Sequence, residues 1–526
     1  MLAIKLHDSN RRRLSALYAA AGLLLTTVQA SADVVTDWNE IAVKATKGFN
    51  GISGTGVTLD SNLSSRVHAI EGRAVFDAAN AVLHFSPASY AYVGSHSGSA
   101  EAAVAQAAHD VLLGLLPAPA SDPAADPRWA QTRDWLDASL TSTLEELGVT
   151  ATDDGVAAGQ AAAAAALAAR RLDNSAPVTT YGAALTPATN PGIGLWRQSN
   201  AAAVAIDPAT GAPTGFDAAG AVIQGRPGIG LNWRDVTPFS LTTFQKAALV
   251  ADVPLPPAVG SSEYEDELEY VRTHGEDSAH PGLRTPDQTA QALYYKQDAE
   301  IFVFEAARIA SKARGLGLAQ NARLFALIAN AVADARIAAF ASKYEQKFWR
   351  PITALNANPD GSVTNGYADW RPLAATPSHP SNTSGHSASG AAGFEVLRAF
   401  LGVDRILPDG SPATLTTLPW LVGTNSGTGN VTTRAVGSFS QAQLENGASR
   451  LYLGVHYGFD NYQGQRLGLA VADEILLRSS DPAVKGLRIR LARVRQAPAS
   501  LLNIRRTLLS RPDLYGYFGQ EKGSQD

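Results

Sequence analysis

Three short segments in the last third of this 526-residue chain hold residues able to do chemistry together. They are Lys343 with Arg350–Pro351, then Ser384–Gly385–His386, then Ser449–Arg450 with His456 and Asp460. Arginine offers forked donors, lysine a point charge, and glycine a backbone N–H that a ligand can approach closely. Such a set suits an anion with many acceptor oxygens, a tetrahedral or trigonal-bipyramidal oxyanion such as phosphate or vanadate. The chemistry expected is built around a bound oxyanion.

The spacing predicts the elements that carry these groups. Lys343 and Arg350 are seven apart, so on a helix they share one face, and Pro351 should end that helix. A Pro/Ser/Asn/Thr loop runs into an apolar periodic stretch at 385–401, placing Ser384–Gly385–His386 at a helix N-terminus, where free N–H groups and the helix dipole favour an anion. His456 and Asp460, four apart, should meet on one helical face, the carboxylate holding the imidazole tautomer.

The signature Lys-x6-Arg-Pro, Pro-Ser-Gly-His, Ser-Arg-x5-His-x3-Asp resembles that of the vanadium-dependent haloperoxidases and of the bacterial and phosphatidic acid phosphatases that share their superfamily. The first and third parts match completely, and in the second Thr383 stands where proline is usual. The resemblance extends to SRVHAIEGRAVFDAANAVLHF (65–85, with His68 and Asp77), NWRDVTPFSL (232–241) and QALYYKQDAEIFVFEAARIA (291–310). It implies an all-α fold of two helical bundles with loop-rich insertions and the oxyanion site in the C-terminal bundle. It also implies vanadate held by His456 and cradled by Lys343, Arg350, Ser384, the Gly385 N–H and Arg450.

In such an enzyme His386 is the general acid–base, and Lys343 polarises the peroxide that oxidises a halide to hypohalous acid. The partners implied are hydrogen peroxide, bromide or iodide, and a small organic acceptor. His379, where bromoperoxidase members carry histidine, and Phe340, three before Lys343, should line the halide pocket. Asp460 and Asp298 stand behind the site, Asp298 orienting Arg450 or Lys343 or else lying on a solvated helix face. The competing function is an acid phosphatase in which His456 attacks phosphorus and His386 protonates the leaving group. The long loop-rich stretch between His386 and Arg450, unlike the shorter spacing of the phosphatases, favours the haloperoxidase.

Composition narrows the rest. A net charge of −5 without a basic stripe gives no reason to expect nucleic acid. No stretch after residue 32 reads as a membrane span. Residues 1–32 read as an export signal, with Arg11–Arg13, the apolar LSALYAAAGLLLTTV and Ala30-Ser31-Ala32 before Asp33. A periplasmic or secreted protein is expected, its oligomeric state open, a homo-oligomer included. The chain has no cysteine and no methionine after the initiator, which suits an enzyme releasing an oxidant, although drift in an Ala-rich sequence explains it as readily.

The expected organisation is a helical region with a loop excursion at 33–240 and the site-bearing bundle at 241–526. Helices are predicted at 64–85, 99–116, 128–147, 153–173, 240–250, 286–313, 317–348, 385–401, 440–457 and 460–478. The glycine-rich stretch within 33–62 reads as loop, PGIGLWR (191–197) and PGIGLNWR (227–234) as two similar turns, and LRIRLARVRQ (487–496) as a solvated face.

Overall fold

The computed structural model describes residues 33–48, 57–122, 125–176, 193–196, 205–206, 213–214, 228–356, 367, 369–416 and 433–496. The expected export signal, most of the glycine-rich stretch after residue 48 and the middle of the insertion at 417–432 lie outside the described residues. The fold is all-α. Among the described residues the strands form two antiparallel pairs, β1 (Ala205–Ile206) with β2 (Pro213–Thr214) and β3 (Ala413–Thr416) with β4 (Thr433–Val436).

The N-terminal bundle comprises α1 (Val34–Thr46), α2 (Ser61–Leu83), α3 (Ala100–Leu115), α4 (Trp129–Glu146) and α5 (Asp154–Ala169). Side-chain oxygens of Asp33, Asp60, Ser99 and Asp153 accept backbone N–H groups at the starts of α1, α2, α3 and α5, the usual way a helix begins. α1 was not foreseen, the first helix expected being that at 64–85. It is amphipathic and buries Val35, Trp38, Ala42 and Val43.

Next come α6 (Thr243–Ala251), α7 (Ser262–His274), α8 (Pro286–Tyr294), α9 (Ala299–Arg314), α10 (Leu318–Gln346) and the short α11 (Pro351–Leu355). The C-terminal bundle is completed by α12 (Gly385–Leu401), α13 (Phe439–Tyr452), α14 (Gly458–Arg478) and α15 (Pro482–Gln496). α10 packs against α2 on one side and α12 on the other, so one continuous apolar core serves both bundles. By length and composition α10 could cross a bilayer, contrary to the reading that nothing after residue 32 could. Its apolar stretch is wholly buried, which makes it the core helix of this fold.

Several boundaries depart from expectation. Pro351 does not end α10, which stops at Gln346 with Lys347 in a left-handed cap; Pro351 opens α11 instead. The helix expected over 286–313 is broken between Tyr294 and Ala299, and that expected over 440–457 stops at Tyr452 before a left-handed Gly454. α7 was not foreseen. In LRIRLARVRQ, which forms the end of α15, Leu487 and Leu491 are buried, so the segment is not a wholly solvated face.

Two carboxylates explain the N-terminal segments. Asp77 accepts three consecutive N–H groups from Tyr90, Ala91 and Tyr92, and Asp334 on α10 does the same for Phe239, Ser240 and Leu241. Each pins a loop to a core helix. The two PGIG turns dock near the end of α10. Trp196 N donates to Lys347 O, Trp349 N to Gly194 O, and Ile229 N to Ser378 O.

Candidate functional site

α10, α12, α14 and the 378–384 loop converge on one buried centre. α14 meets α12 closely because Gly464 and Gly468 face its backbone: a Cβ on Gly464 would lie 2.5 Å from Ser384 O, and one on Gly468 2.1 Å from Ala388 O. No larger residue fits there without moving the N-terminus of α12. That N-terminus is capped by Ser384, whose Oγ accepts from Ser387 N at 3.2 Å and contacts Ser387 Oγ at 3.0 Å.

The loop before Ser384 is latched to Asp460. Ser384 N donates to Asp460 O at 3.0 Å and Thr383 Oγ1 to the same carbonyl at 2.9 Å. Thr383, in the position of the usual proline, therefore ties the loop down through its hydroxyl.

His456 is not on a helix. It lies just before α14, and Asp460, in the first turn of α14, reaches back to it. His456 Nδ1 donates to Asp460 Oδ2 at 2.8 Å, while Ser381 Oγ and Tyr457 N (3.2 Å) donate to the same oxygen. The pairing expected from the spacing is present, though not on one helical face. With Nδ1 protonated, Nε2 carries the lone pair, and Arg350 Nη1 lies 3.1 Å from it. Burial pushes His456 well below the ordinary histidine range, reinforced by Arg350, Lys343, Arg450 and His379, so it is a neutral nitrogen donor. Burial raises Asp460 to about 6, against the hydrogen bond from Ser381.

Lys343 Nζ donates to the carbonyls of Pro380 and Ser381 at 3.0 and 2.8 Å. Burial, then Arg350, depresses it well below the lysine range. Arg350 is fully buried, bonds His379 O, Val455 O and His379 Nδ1, and is pushed by burial to about 9. Arg450 donates to Tyr295 O at 3.4 Å, and burial pushes it to about 10. Ser449 bonds within its own helix, to Asn446 O, and takes no part in the cradle. Bringing three cations together out of water is unfavourable unless an anion joins them.

His386 Nε2 donates to Tyr295 O at 3.0 Å, which leaves Nδ1 as the acceptor. Burial, then Arg450, holds it well below the ordinary range. His379 accepts from Arg350 at Nδ1, so its proton sits on Nε2, and the 3.2 Å approach of Nδ1 to Pro380 O is then no hydrogen bond. Phe340 stacks obliquely against it, ring centroids 5.0 Å apart. A free histidine titrates within the physiological range. The protein's own groups oppose that, since burial, then Lys343 and Arg350, keeps it neutral.

Asp298 is neither of the things expected of it. It is half-buried and pairs with Lys47, from the end of α1, and with Ser61, the first residue of α2, rather than with Arg450 or Lys343. Its charge still raises Arg450 and His386. Sequence reasoning missed Lys47, Ser61, Glu300 and Arg336 around it. All four lie outside the signature segments, and only tertiary packing brings them together.

The groups present fit a metal oxyanion. His456 Nε2 is a neutral lone-pair donor beside three cations, and Arg450 Nε is a buried N–H with no acceptor among the described residues. Over Gly385, an added Cβ would touch Lys343, Phe340 and Ala339 only at 3.9 Å, so there is room for a ligand against the backbone.

Comparison with known proteins finds the same family. Residues 323–483 match the family model of the VCPO second helical-bundle domain, and the resemblance to the vanadium-dependent haloperoxidases holds. Vanadium chloroperoxidase of Curvularia inaequalis is 28% identical over 250 residues, covering 38% of this chain and 41% of that protein. The chain thus spans about two fifths of that curated relative. A bacterial vanadium-dependent iodoperoxidase structure superposes with a TM-score of 0.60 at 19% identity, covering 85% of this chain and 95% of the other. A holo-type bacterial vanadium-dependent chloroperoxidase gives 0.59 at 14% identity, covering 82% and 93%. At these identities the two structures establish the shared helical fold.

Proposed function

We propose that this relative of the vanadium-dependent haloperoxidases is itself one, oxidising bromide and iodide with hydrogen peroxide to hypohalous acid that halogenates a small organic acceptor. The observation that carries the proposal is His456. Asp460 holds its Nδ1 proton at 2.8 Å, and the lone pair on Nε2 faces Arg350 inside a cationic cradle.

Vanadate, when bound, supplies an oxidised Lewis acid that activates hydrogen peroxide towards a halide. His456 Nε2 would hold it, after giving up its contact with Arg350. Lys343, Arg350 and Arg450 would neutralise its oxygens, with the Ser384 hydroxyl and the Gly385 N–H as further donors. The anion's charge opposes the depression of Lys343 and so keeps that amine protonated. His386 would move the peroxide proton at Nδ1, its ring held by Tyr295 O. His379 would present Nε2–H to halide or peroxide, with Phe340 as the apolar wall. This supports bromide and iodide over chloride, which is more strongly hydrated and harder to oxidise. The basic and apolar stretches within residues 1–32 support export to the periplasm or medium.

The test is halogenation of a dye by the purified protein with peroxide and each halide, with and without vanadate, beside hydrolysis of a phosphate ester without vanadate. Vanadate-dependent bromination with little hydrolysis is expected. Hydrolysis without halogenation would make the protein a phosphatase. His379→Phe should change the ratio of kcat/KM values for iodide, bromide and chloride more than it changes vanadate affinity; unchanged ratios would remove His379 from the halide pocket.

A further inference from the structure

Arg336 lies outside the three signature segments. It is on α10, one turn before Phe340 and two before Lys343, so the three share a face. Only 4% of its surface is exposed. One contact holds it from behind, Nη2 donating to Glu300 Oε2 at 3.4 Å. Glu300 is fully buried with Lys47 Nζ 3.8 Å from its Oε1, and Lys47 also pairs with Asp298. Two cations and two carboxylates therefore balance one another, which offsets much of the cost of burying the guanidinium. Nε is left over. Its N–H is buried, and no group among the described residues accepts from it. A buried donor without an acceptor is costly, and Arg336 keeps one within a network otherwise matched in charge.

Its position says what it faces. The charge of Arg336 acts on Lys343, His379, His386 and Arg450, all of them site residues. Seven residues of helix put its Cα about 10 Å from that of Lys343, well away from the Arg350–His456 end of the cradle. Ala339 and Val332 of α10 lie against Gly385 and Ser389 of α12, so Arg336 is level with His386. His386 is bounded by the Tyr295 carbonyl, by the Phe302 ring with its centroid 6.1 Å away, and by Arg450, whose Nε is also a buried donor without an acceptor among the described residues. This side offers side-chain N–H donors and aromatic surface, and lacks the lysine of the cradle. An oxyanion would be poorly satisfied there, whereas a large monatomic anion needs few donors and tolerates apolar neighbours.

We propose that Arg336 is a further halide-holding residue, its free Nε–H donating to bromide or iodide on the His386 side of the pocket that Phe340 and His379 wall. The inference deepens the haloperoxidase reading and, for turnover, rests on it. From this place the halide gives an electron pair to one peroxide oxygen. The halogen–oxygen bond forms, the O–O bond breaks, and the other oxygen takes up a proton and leaves as water.

The test uses the full-length protein as wild type, Arg336→Met and Arg336→Lys. Bromide binding is followed by the linewidth of the ⁸¹Br resonance with the cradle saturated with inorganic phosphate, and steady-state constants are measured on the vanadate-loaded enzyme. Loss of one charge-assisted hydrogen bond should raise the bromide KM of Arg336→Met about 10- to 100-fold, with the peroxide KM and vanadate affinity within about twofold, and should abolish bromide broadening. Arg336→Lys should recover part of both; if the Met variant does not fold, a smaller rise in bromide KM in the Lys variant carries the comparison. Unchanged broadening and unchanged bromide KM overturn the inference, as does loss of vanadate affinity with the bromide KM intact. The two readings fail separately. Broadening that depends on Arg336 in a protein that cannot halogenate would keep this inference and sink the haloperoxidase. Halogenation with an Arg336-independent bromide KM would do the reverse.

Discussion

At the scale of single residues, the site works by withholding protons from its histidines. His456, His379 and His386 are each surrounded by burial and cationic charge, and each has one ring nitrogen already engaged. The remaining nitrogen is thereby assigned a role: lone pair at His456, N–H at His379, acceptor at His386. His386→Ala should keep vanadate bound yet lower kcat by about 10²- to 10⁴-fold, the usual worth of general acid–base help; wild-type turnover with bromide would mean another group handles the peroxide proton. Asp460→Asn should weaken vanadate binding by about 10- to 100-fold, because an amide can donate to Nδ1 and so leave Nε2 protonated, and equilibrium dialysis would show it. These residues were legible in the sequence because their chemistry needs fixed types at fixed spacing. Arg336, Glu300 and Lys47 were not, since a buried charge network has no local spacing rule.

At the scale of elements, the site is made where helices stop. The interruption after Tyr294 frees the Tyr295 carbonyl for both His386 and Arg450, and the stop at Tyr452 lets Val455 O and His456 meet Arg350. Neither was foreseen in the sequence. The first break contains no glycine or proline, and in the second Gly454 is a single punctuation mark within an otherwise helical pattern. α7 was missed because it buries only Tyr264, Glu267 and Val271, leaving little apolar periodicity to read. The N-terminus of α12 was foreseen, since Ser384 carries a cap signal. Its contact with α14 yields an element-scale prediction. Gly468→Ala would set a Cβ 2.1 Å from Ala388 O, so it should destabilise the fold by about 1–3 kcal/mol and weaken vanadate binding by shifting Ser384 and Gly385. Denaturant unfolding and a vanadate titration on one sample check both effects, and an unchanged midpoint would show that the two helices have slack.

At the scale of the whole molecule, the all-α class and the placing of the site in the C-terminal bundle were legible, because three ordered segments and long 3.6-residue periodicity both survive into the structure. The contribution of the N-terminal bundle was not. Lys47 at the end of α1 reaches Asp298, beside the site. α7 contributes Glu267, which accepts from Gly458 N at 2.6 Å at the start of the helix bearing Asp460. Burial raises Glu267 from the ordinary carboxylic range to about 8. A carboxyl raised on folding stabilises the protein below its unfolded value, and that stability is lost as pH rises through the folded one. Glu267→Gln should therefore gain stability relative to wild type from pH 5 to 8, by up to about 1.4 kcal/mol per pH unit, and parallel melting curves of the two proteins would refute the shift. The central claim, that the chain holds one vanadate on His456, is tested most directly by equilibrium vanadate binding to wild type and His456→Ala at several phosphate concentrations. We predict one vanadate per wild-type chain, a midpoint that rises with phosphate while the plateau stays fixed, and no stoichiometric binding in His456→Ala. Tight one-to-one binding that survives the substitution, or that ignores phosphate, would contradict the account.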